Sequence, residues 1–414
     1  MAEAHEHSAL LNAEQRAAAE RLWTSTVPAL QLIAGAGSGK TTTLVAAIRG
    51  AVEHGFSSER LAVISFTRKS ARELSERLGA TGISPGFCGT IHALAWRLLK
   101  SQGNTPRLLV ESSRTKSQVI RKALPGLEHV PDRLLARPGF LPVADSERVA
   151  SAWREYLNSQ HLTDFDAMVS RAAELPGIAG IFDAIFIDEF QDTSPDQVAF
   201  ALALAPRKLF VVGDDWQSIY RFRGADVSVT RDFLRLVPGA ERLFLVKNYR
   251  SSRQIVALGN RAIRQSSVFV RKRLVATKAS YRKAVVYLTE AKDTTAAWQS
   301  FRDYMEKPGR LPRPLTILVR TNAQRRLLEA NLPGECEVMT IHKSKGLEFD
   351  NVLIFGIAEH SMPHRENDAD EEVRILYVAL TRARRFLGFV AWEQNEKRSP
   401  FLPFLLKHCK LQYF

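Results

Sequence analysis

The sequence predicts an α/β protein with two successive parallel β-sheets. Short apolar runs bounded by turn or helix signals recur along the chain, as expected of buried parallel strands. Helical stretches lie between many of these runs, which is the alternation that parallel sheets require. A glycine-rich loop follows the first run and opens a helix, the usual context of a phosphate-binding loop. The predicted strands are residues 30–34, 61–65, 184–187, 209–212 and 243–246 in the first sheet, and 285–288, 316–319, 337–340, 352–355 and 387–390 in the second.

Length and charge limit the class of protein. The 414 residues are 45% hydrophobic and 25% charged, and at ~100 to 200 residues per domain they predict two or three globular domains. The net charge of +14 indicates a polyanionic partner, either nucleic acid or an anionic membrane surface, and charge alone does not choose between them. The longest nearly apolar run, 198–206, is far shorter than the ~20 residues of a transmembrane helix. The first 11 residues do not resemble a secretory signal, and the three cysteines share no metal-ligand or disulfide spacing, so we expect a cytoplasmic protein with free thiols. The motifs described below favour nucleic acid over a membrane surface, so we expect no membrane partner.

The predicted break between the sheets lies near residue 250. It divides the chain into domains 1–250 and 251–414. Residues from about 100 to 180 are polar, have a helical pattern and lack clear strand signals, so we expect an insertion carried by the first sheet. Residues 251–283 contain nine Lys or Arg and no Asp or Glu, which indicates either a solvated helical face or a surface that follows nucleic-acid phosphates.

The loop after the first predicted strand is the strongest local motif. Gly37 and Gly39 allow backbone N–H groups to approach phosphates, Lys40 reaches the β and γ oxygens, and the Thr41 hydroxyl suits Mg²⁺. The strict pattern has glycine where this chain has Ala34, and the alternative is a glycine-rich turn without a ligand. The predicted nucleotide-binding residues here are Ala34, Gly35, Ala36, Gly37, Ser38, Gly39, Lys40, Thr41 and Thr42.

Two adjacent carboxylates end the predicted strand 184–187. A carboxylate at a strand end can hold Mg²⁺, and the next one can orient or deprotonate the attacking water. We assign Asp188 to the metal and Glu189 to the water. Alone, the pair would more often be a solvated acidic turn, but together with the phosphate loop it predicts a nucleoside triphosphatase rather than a simple nucleotide binder.

Ten motifs, in order from Leu11 to Ala383, resemble the signature motifs of UvrD/Rep-type DNA helicases of superfamily 1. The resemblance implies two tandem RecA-like P-loop NTPase domains with a short, mainly helical insertion in the first, ATP and Mg²⁺ as cofactors, and ATP bound between the two domains. Besides the phosphate loop, the matching segments are residues 11–15, 65–71, 89–92, 188–197, 213–225, 248–251, 319–324, 340–349 and 376–383.

The resemblance also implies roles at the nucleotide. Gln217 would contact the γ-phosphate and couple its presence to movement. Arg250 and Arg382 would neutralise charge on the transferred phosphoryl group, for which a planar, permanently charged fork is suited. The alternative for each arginine is a surface ion pair. The predicted catalytic set is Lys40, Asp188, Glu189, Gln217, Arg250 and Arg382.

Three further residues would hold the nucleoside. By the same resemblance, Gln15 would read the adenine edge, Tyr249 would stack on the adenine ring and Glu348 would hold the ribose.

Seven residues match positions that contact DNA in this family. Aromatic rings stack on any base because every base has a π face, and the alternative is that these rings are core residues. The family often has tryptophan where this chain has Phe222. A lone histidine is more often structural than functional. The predicted base-stacking residues are Phe66, Tyr220 and Phe222, and those predicted to contact phosphates or to couple them to ATP are Thr90, His92, Arg320 and His342.

The function implied by the resemblance is an ATP-dependent motor that moves 3′ to 5′ on single-stranded DNA. It would act at single-strand/duplex junctions in DNA repair, recombination or replication. Translocation needs only the motor, whereas strand separation also needs a wedge. In larger relatives a second accessory (2B-like) domain follows the motif that ends here at Gln324, whereas this chain runs directly to Met339. One alternative is a regulatory or effector ATPase subunit of a nuclease-containing repair or antiphage complex. Another is an RNA-dependent ATPase, which fits the charge better than the motifs.

Overall fold

The computed structural model describes residues 11–103, 106–109, 112–135, 141–279, 283–307, 309–330, 332, 334–364, 368–393 and 397–414. Within these residues the chain packs as two compact units. The first holds the residues up to Leu32, Thr41–Val212 and Tyr220–Leu243, and the second holds Ile33–Lys40, Gly213–Ile219 and Phe244–Phe414.

The first half of the chain contains eight described strands and eleven described helices. The strands are β1 (Ala29–Ala34), β2 (Leu61–Ile64), β3 (Phe87–Gly89), β4 (Arg107–Leu108), β5 (Leu162–Thr163), β6 (Ala184–Ile187), β7 (Lys208–Gly213) and β8 (Glu241–Leu245). The helices are α1 (Ala13–Arg21), α2 (Lys40–Glu53), α3 (Arg68–Gly79), α4 (Ile91–Ser101), α5 (Ser112–Ala123), α6 (Asp132–Leu135), α7 (Val143–Ser159), α8 (Phe165–Ala173), α9 (Pro195–Ala203), α10 (Val227–Arg231) and α11 (Phe233–Leu236).

Six of these strands form one sheet in the order β3-β2-β6-β7-β1-β8. The β2 pairs with β3 and β6, and the β6 pair with β7, are parallel. Every residue of β1, β2 and β6 is buried, as their apolar sequences predict. Because parallel strands end at the same edge, the loops after β2 and β6 leave the sheet on one side.

The predicted insertion is mainly helical where the structure describes it. It also contains the two-residue parallel pair β4 and β5, which no apolar run signalled. Helix α8, although inside the predicted insertion, contributes Met168, Val169 and Ala172 to the core of the first sheet. The insertion therefore merges with that core before residue 180.

The second half contains eight more strands and six described helices. The strands are β9 (Lys247–Ser252), β10 (Val275–Lys278), β11 (Val285–Glu290), β12 (Leu315–Val319), β13 (Cys336–Thr340), β14 (Phe349–Ile357), β15 (Ala383–Glu393) and β16 (Lys410–Tyr413). The helices are α12 (Arg253–Ala262), α13 (Thr294–Met305), α14 (Asn322–Glu329), α15 (Ile341–Ser344), α16 (Ala369–Leu380) and α17 (Leu402–His408).

The second sheet has the order β13-β12-β14-β15-β11-β16, and all five neighbouring pairs are parallel. Helix α16 lies in its core, and every residue from 371 to 380 is buried. The α/β prediction with two parallel sheets is therefore confirmed, and each of the ten predicted strands overlaps an observed one. The short β3 and the edge strand β16 were not predicted because neither is a continuous apolar run.

The polypeptide passes from one compact unit to the other at positions that the sequence did not indicate. Strand β9 ends at Ser252 and α12 begins at the next residue, so no loop divides the chain near residue 250. By packing, the last change of unit falls between Leu243 and Phe244, and the phosphate loop groups with the second unit. The functional division into 1–250 and 251–414 stays a prediction. No helix in the described part of the chain is long and apolar enough to span a membrane.

Candidate nucleotide and DNA sites

The phosphate loop has the backbone that its glycines predicted. Strand β1 ends at Ala34 and α2 begins at Lys40. Gly37 and Gly39 have φ of 68° and 84°, a left-handed conformation that glycine adopts without steric cost. A Cβ on Gly37 would also lie 2.5 Å from the Cβ of Arg250. The turn therefore needs glycine at 37, and the loop leads into a helix N-terminus suited to anions.

Strand β9 holds this loop in place within the second unit. The Asn248 side-chain amide donates to the Ala36 carbonyl at 2.6 Å, and the Tyr249 backbone N–H donates to the Gly37 carbonyl at 2.9 Å. The Ser38 hydroxyl donates to the Gly35 carbonyl at 2.7 Å. The residues next to the predicted arginine finger Arg250 thus fix the shape of the phosphate loop.

Asp188 and Glu189 follow β6 in the first unit. Asp188 is buried, and its Oδ1 accepts the Glu189 backbone N–H at 2.9 Å. Glu189 has φ of 52°, an uncommon left-handed conformation for a residue with a side chain. The fully buried Gln191 donates from Nε2 to Glu189 Oε2 at 2.6 Å and to Asp192 Oδ2 at 3.2 Å. Gln191 was not singled out from sequence, although it lies inside the matched motif.

Arg382 and Gln217 contact each other directly in the second unit. Arg382 is only 1% exposed, so the alternative that it forms a surface ion pair is wrong. It donates to the Val378 and Leu347 carbonyls at 3.0 and 2.9 Å, and from Nη2 to Gln217 Oε1 at 3.0 Å. Gln217 Nε2 donates in turn to Asp214 Oδ2 at 2.6 Å. The two residues predicted to respond to the γ-phosphate therefore form one hydrogen-bonded pair.

Arg250 is ion-paired. Its Nε contacts Glu348 Oε2, and Nη1 donates to the Thr381 carbonyl at 3.3 Å. Arg384 contacts the other oxygen of Glu348. Burial acts to raise the pKa of Glu348, but the hydrogen bonds and charges of the two arginines outweigh burial and lower it. Arg250 is thus ion-paired, as the alternative proposed, although its side chain is only 16% exposed and so does not lie on the surface. The phosphoryl role of Arg250 and the ribose role of Glu348 stay predictions.

The two residues predicted to hold adenine have different surroundings. Tyr249 is 40% exposed, as a ring that stacks on a ligand must be before the ligand binds. Gln15 is 5% exposed and belongs to a capping box at the start of α1, where its Oε1 accepts the Asn12 backbone N–H at 3.0 Å. The adenine role of Gln15 stays a prediction beside this structural one.

Three aromatic rings form a cluster in the first unit. Phe66 and Tyr220 are stacked with centroids 5.0 Å apart, and Phe222 meets Tyr220 edge-on at 5.8 Å. The Arg223 guanidinium lies 5.2 and 5.6 Å from the Tyr220 and Phe222 rings. The rings are half-buried rather than sealed in a core. Burial, with the nearby charges of Asp192 and Glu189, raises the pKa of Tyr220 to about 12 although Arg223 opposes the shift.

Thr90 and His92 lie at the start of α4. The Thr90 hydroxyl caps this helix by accepting the Ala93 backbone N–H at 3.3 Å. The His92 ring meets the exposed ring of Phe165 edge-on at 5.3 Å, and burial lowers the pKa of His92. Each side chain thus has a structural partner, and the DNA-contact roles stay predictions.

Arg320 and His342 belong to one buried polar group in the second unit. Arg320 pairs with Glu372 through Nε and Nη2 at 3.1 and 2.7 Å, and Glu372 is 1% exposed. Burial and the charge of Arg320 lower the pKa of His342 to about 4, although Glu372 and a hydrogen bond with the Ile219 backbone oppose the shift. In this conformation the Arg320 guanidinium serves Glu372 rather than an exposed anion site.

The basic run 251–283 is not uniform. Arg282 lies outside the described residues. Seven of the other cations are exposed, so either predicted interpretation fits them: Arg253, Arg261, Arg264, Arg271, Arg273, Lys278 and Lys283. Lys272 is different, because its ammonium lies 2.9 Å from Asp214 Oδ1 and 2.6 Å from Asp215 Oδ1 with all three side chains fully buried. For Lys272 the prediction of a solvated or phosphate-tracking residue is wrong, and no local signal marked its partners.

Two family models match the chain. An AAA domain model matches residues 15–223, and a UvrD-like helicase C-terminal domain model matches residues 333–394. The first match covers slightly more than half of the 414 residues and contains the phosphate loop, both carboxylates and the aromatic cluster. The second contains His342, Glu348 and Arg382.

The chain is also similar to three curated bacterial proteins. It is 28% identical to DNA helicase IV of Escherichia coli over 473 residues, covering 91% of this chain and 68% of that protein. It is 31% identical to DNA helicase II of the same organism, covering 73% and 48%. It is 29% identical to ATP-dependent DNA helicase PcrA of Leuconostoc citreum, covering 78% and 50%. The chain thus spans about half the length of the latter two relatives.

Proposed function

Since the chain belongs to the UvrD/Rep-type family of ATP-dependent DNA helicases of superfamily 1, we propose that it couples ATP hydrolysis to 3′-to-5′ movement on single-stranded DNA. The proposal rests on the contacts made by the segment 213–224. Gln217 in this segment is hydrogen-bonded to Arg382, and Tyr220, three residues later, is stacked in the aromatic cluster. One short stretch of backbone thus joins the proposed nucleotide contact to the proposed base contact.

The hydrolytic chemistry follows from the two carboxylates and the phosphate loop. Lys40 and the loop N–H groups bind the β- and γ-phosphates. Glu189 orients a water molecule, which attacks the γ-phosphorus as its proton passes to the Glu189 carboxylate. The bond from that phosphorus to the β–γ bridging oxygen breaks, and ADP leaves with the electron pair. Arg382 offsets the negative charge that spreads over the transferred group.

Mg²⁺ fits the residues at the proposed metal site. Hard oxygen ligands are what Mg²⁺ requires, and the buried Asp188 carboxylate and the Thr41 hydroxyl at the start of α2 are of this type. Both belong to the first compact unit. When bound, Mg²⁺ would supply positive charge to the β- and γ-phosphate oxygens.

Ion-pair exchange prepares the remaining nucleotide contacts in this proposal. Arg250 reaches the phosphoryl group only after leaving Glu348, and Glu348 is then available to the ribose hydroxyls. Arg384 stays with the carboxylate and offsets its charge during the exchange. Tyr249 and Gln15 hold the adenine.

The aromatic cluster serves as the base-stacking platform. Phe66, Tyr220 and Phe222 offer half-buried rings to bases of any sequence, and Arg223 keeps two of the rings oriented. Four further residues contact the phosphates of the DNA backbone or couple that contact to the nucleotide state in this proposal: Thr90, His92, Arg320 and His342. Movement along the single strand at a single-strand/duplex junction would separate the duplex. We place this activity in the cytoplasm, in DNA repair, recombination or replication.

Steady-state ATP hydrolysis tests the proposal directly. The purified chain is assayed without nucleic acid and with single-stranded DNA, duplex DNA or RNA, and Glu189→Gln controls for contaminating ATPases. Strong stimulation by single-stranded DNA is expected. Equal stimulation by RNA would contradict DNA specificity, and little turnover under every condition by a folded, ATP-binding protein would contradict an autonomous motor. Strand-displacement substrates with a 3′ or 5′ single-stranded tail then test the polarity.

A further inference from the structure

Lys272 occupies a site where a charge is costly. Its side chain is fully buried between Asp214 and Asp215, and its ammonium lies 4.1 Å from the centre of the Trp216 ring. A buried ion pair loses the hydration of both partners, and apolar residues of similar volume often stabilise a fold equally well. Stability alone therefore does not explain a lysine here.

The lysine is the first member of a continuous polar chain. Asp214 accepts from Lys272 on Oδ1 and from Gln217 Nε2 on Oδ2, at 2.9 and 2.6 Å. Gln217 then accepts from Arg382 at 3.0 Å. All four residues belong to the second unit. The Lys272 side chain is fully buried, and Asp214, Gln217 and Arg382 are each at most 4% exposed.

Asp215 anchors the other side of the lysine without joining this chain. Its Oδ1 accepts from Lys272 at 2.6 Å, and its Oδ2 accepts the Val270 backbone N–H at 2.6 Å. The segment before β10 thus presents the ammonium from a fixed position. Two buried carboxylates therefore share one lysine, and in the described residues it is Asp214 that accepts from the Gln217 side chain.

We propose that Lys272 is a positioning residue that fixes Asp214, so that Asp214 holds the Gln217 amide in the orientation that accepts from Arg382. Without the ammonium, Asp214 and Asp215 would be adjacent buried carboxylates, and protonation or rotation of either would relieve their repulsion. A protonated or rotated Asp214 no longer sets the direction of Gln217. The proposal rests on the proposed function, because it assigns Lys272 to the link between nucleotide and DNA.

Three variants distinguish this positioning role from the simple loss of a buried ion pair. Lys272→Met alone leaves two unpaired buried carboxylates and is prone to misfold, so the test variant is the double substitution Lys272→Met with Asp215→Asn. The matched control is Asp215→Asn alone, which keeps Lys272 on Asp214. Asp214→Asn disturbs the same contacts at Asp214 itself, because the asparagine side chain has one acceptor oxygen for two donors, Lys272 and Gln217.

Each protein is assayed for ATP turnover and for the effect of a non-hydrolysable ATP analogue on the Kd of a fluorescent oligo-dT. Single-stranded DNA should raise the turnover of the wild type, and the analogue should change its Kd. In the double variant and in Asp214→Asn, kcat with saturating DNA should fall by a factor of about ten or more, as expected when a contact made in the transition state is lost. The KM for ATP should stay within about threefold of the wild-type value. The analogue should no longer change their Kd. Asp215→Asn should keep both responses within about twofold.

Three results would overturn the positioning role. The first is a folded double variant with wild-type kcat and an unchanged analogue effect, and the second is an equal loss in Asp215→Asn. The third is that Asp214→Asn keeps the wild-type responses. A wild-type protein without DNA-stimulated hydrolysis would instead overturn the proposed function, and the analogue effect on DNA binding would still report on Lys272 because it needs no turnover.

Discussion

Truncating Tyr220 tests most directly whether the aromatic cluster is a base-stacking platform. Tyr220→Ala removes the middle ring of the cluster, which is stacked on Phe66 at 5.0 Å and meets Phe222 edge-on at 5.8 Å. Base stacking on an aromatic ring contributes ~1 to 3 kcal/mol per base. At ~1.4 kcal/mol for each factor of ten, the Kd for single-stranded DNA should rise about 5- to 150-fold. Hydrolysis without DNA should change only modestly, because no predicted catalytic side chain is removed.

The same substitution has a structural cost that the assay must separate. Each aromatic pair contributes ~0.5 to 1.5 kcal/mol beyond its buried area, so the loss of two pairs lowers the free energy of unfolding by about 1 to 3 kcal/mol in addition to the loss of buried apolar area. Tyr220→Phe is the matched control, since it keeps the ring. The pKa of Tyr220 is raised to about 12, so the hydroxyl is neutral at assay pH and its removal changes no charge.

The measurement is fluorescence anisotropy of labelled oligo-dT at fixed salt, with the melting temperature of each variant as the folding check. Tyr220→Phe should bind within about twofold of the wild type, as expected if the π face carries the contact. If folded Tyr220→Ala binds DNA as tightly as the wild type, the ring is a core residue and the platform interpretation is refuted. If Tyr220→Phe loses as much as Tyr220→Ala, the hydroxyl and not the ring makes the contact.

Three further predictions concern the nucleotide site and the buried polar group. Lys40→Ala and Glu189→Gln should each abolish DNA-stimulated turnover, and Glu189→Gln should keep ATP binding in a fluorescent-nucleotide titration; appreciable hydrolysis by either would contradict the assigned roles. The pKa of His342 is lowered from 6.5 to about 4, so as pH falls the unfolded chain binds this proton first and the protein loses stability between about pH 6.5 and 4, by on the order of 3 kcal/mol. Denaturant titrations should show a smaller acid loss in His342→Gln, and an equal loss would show that this histidine is not the titrating group. Arg320→Ala should cost about 3 to 5 kcal/mol because it removes the cation that pairs with the buried Glu372 carboxylate, although the His364 backbone N–H still donates to Glu372, and an unchanged melting temperature would contradict the burial of that ion pair.

The parts of the molecule that the sequence could predict are those encoded by neighbouring residues. Strand β1 is a continuous apolar run, and its loop has glycine at the two positions with left-handed backbone, so both were predicted from local pattern. Asp188 and Glu189 were found for the same reason, because a buried strand ends immediately before them.

The remaining features depend on residues far apart in the chain. Arg382 and Gln217 are separated by 165 positions, and no spacing rule indicates that they share a hydrogen bond. Lys272 belongs by composition to an exposed basic run, and only the tertiary fold buries it against Asp214. Arg250 likewise resembles a free arginine in sequence, although the fold pairs it with Glu348.

The left-handed backbone of Glu189 places folding and chemistry in conflict at a single residue. Glycine would adopt this conformation without strain but lacks the carboxylate that we propose orients water, so the proposed catalytic residue is kept at a cost in backbone strain. Glu189→Gly should therefore abolish hydrolysis and relieve the backbone strain, and its melting temperature would report that relief together with the loss of the Gln191 contact. A related protein that no longer needs ATP turnover could replace this residue by glycine. Glycine at position 189 in such a relative would therefore indicate that the proposed hydrolytic activity has been lost.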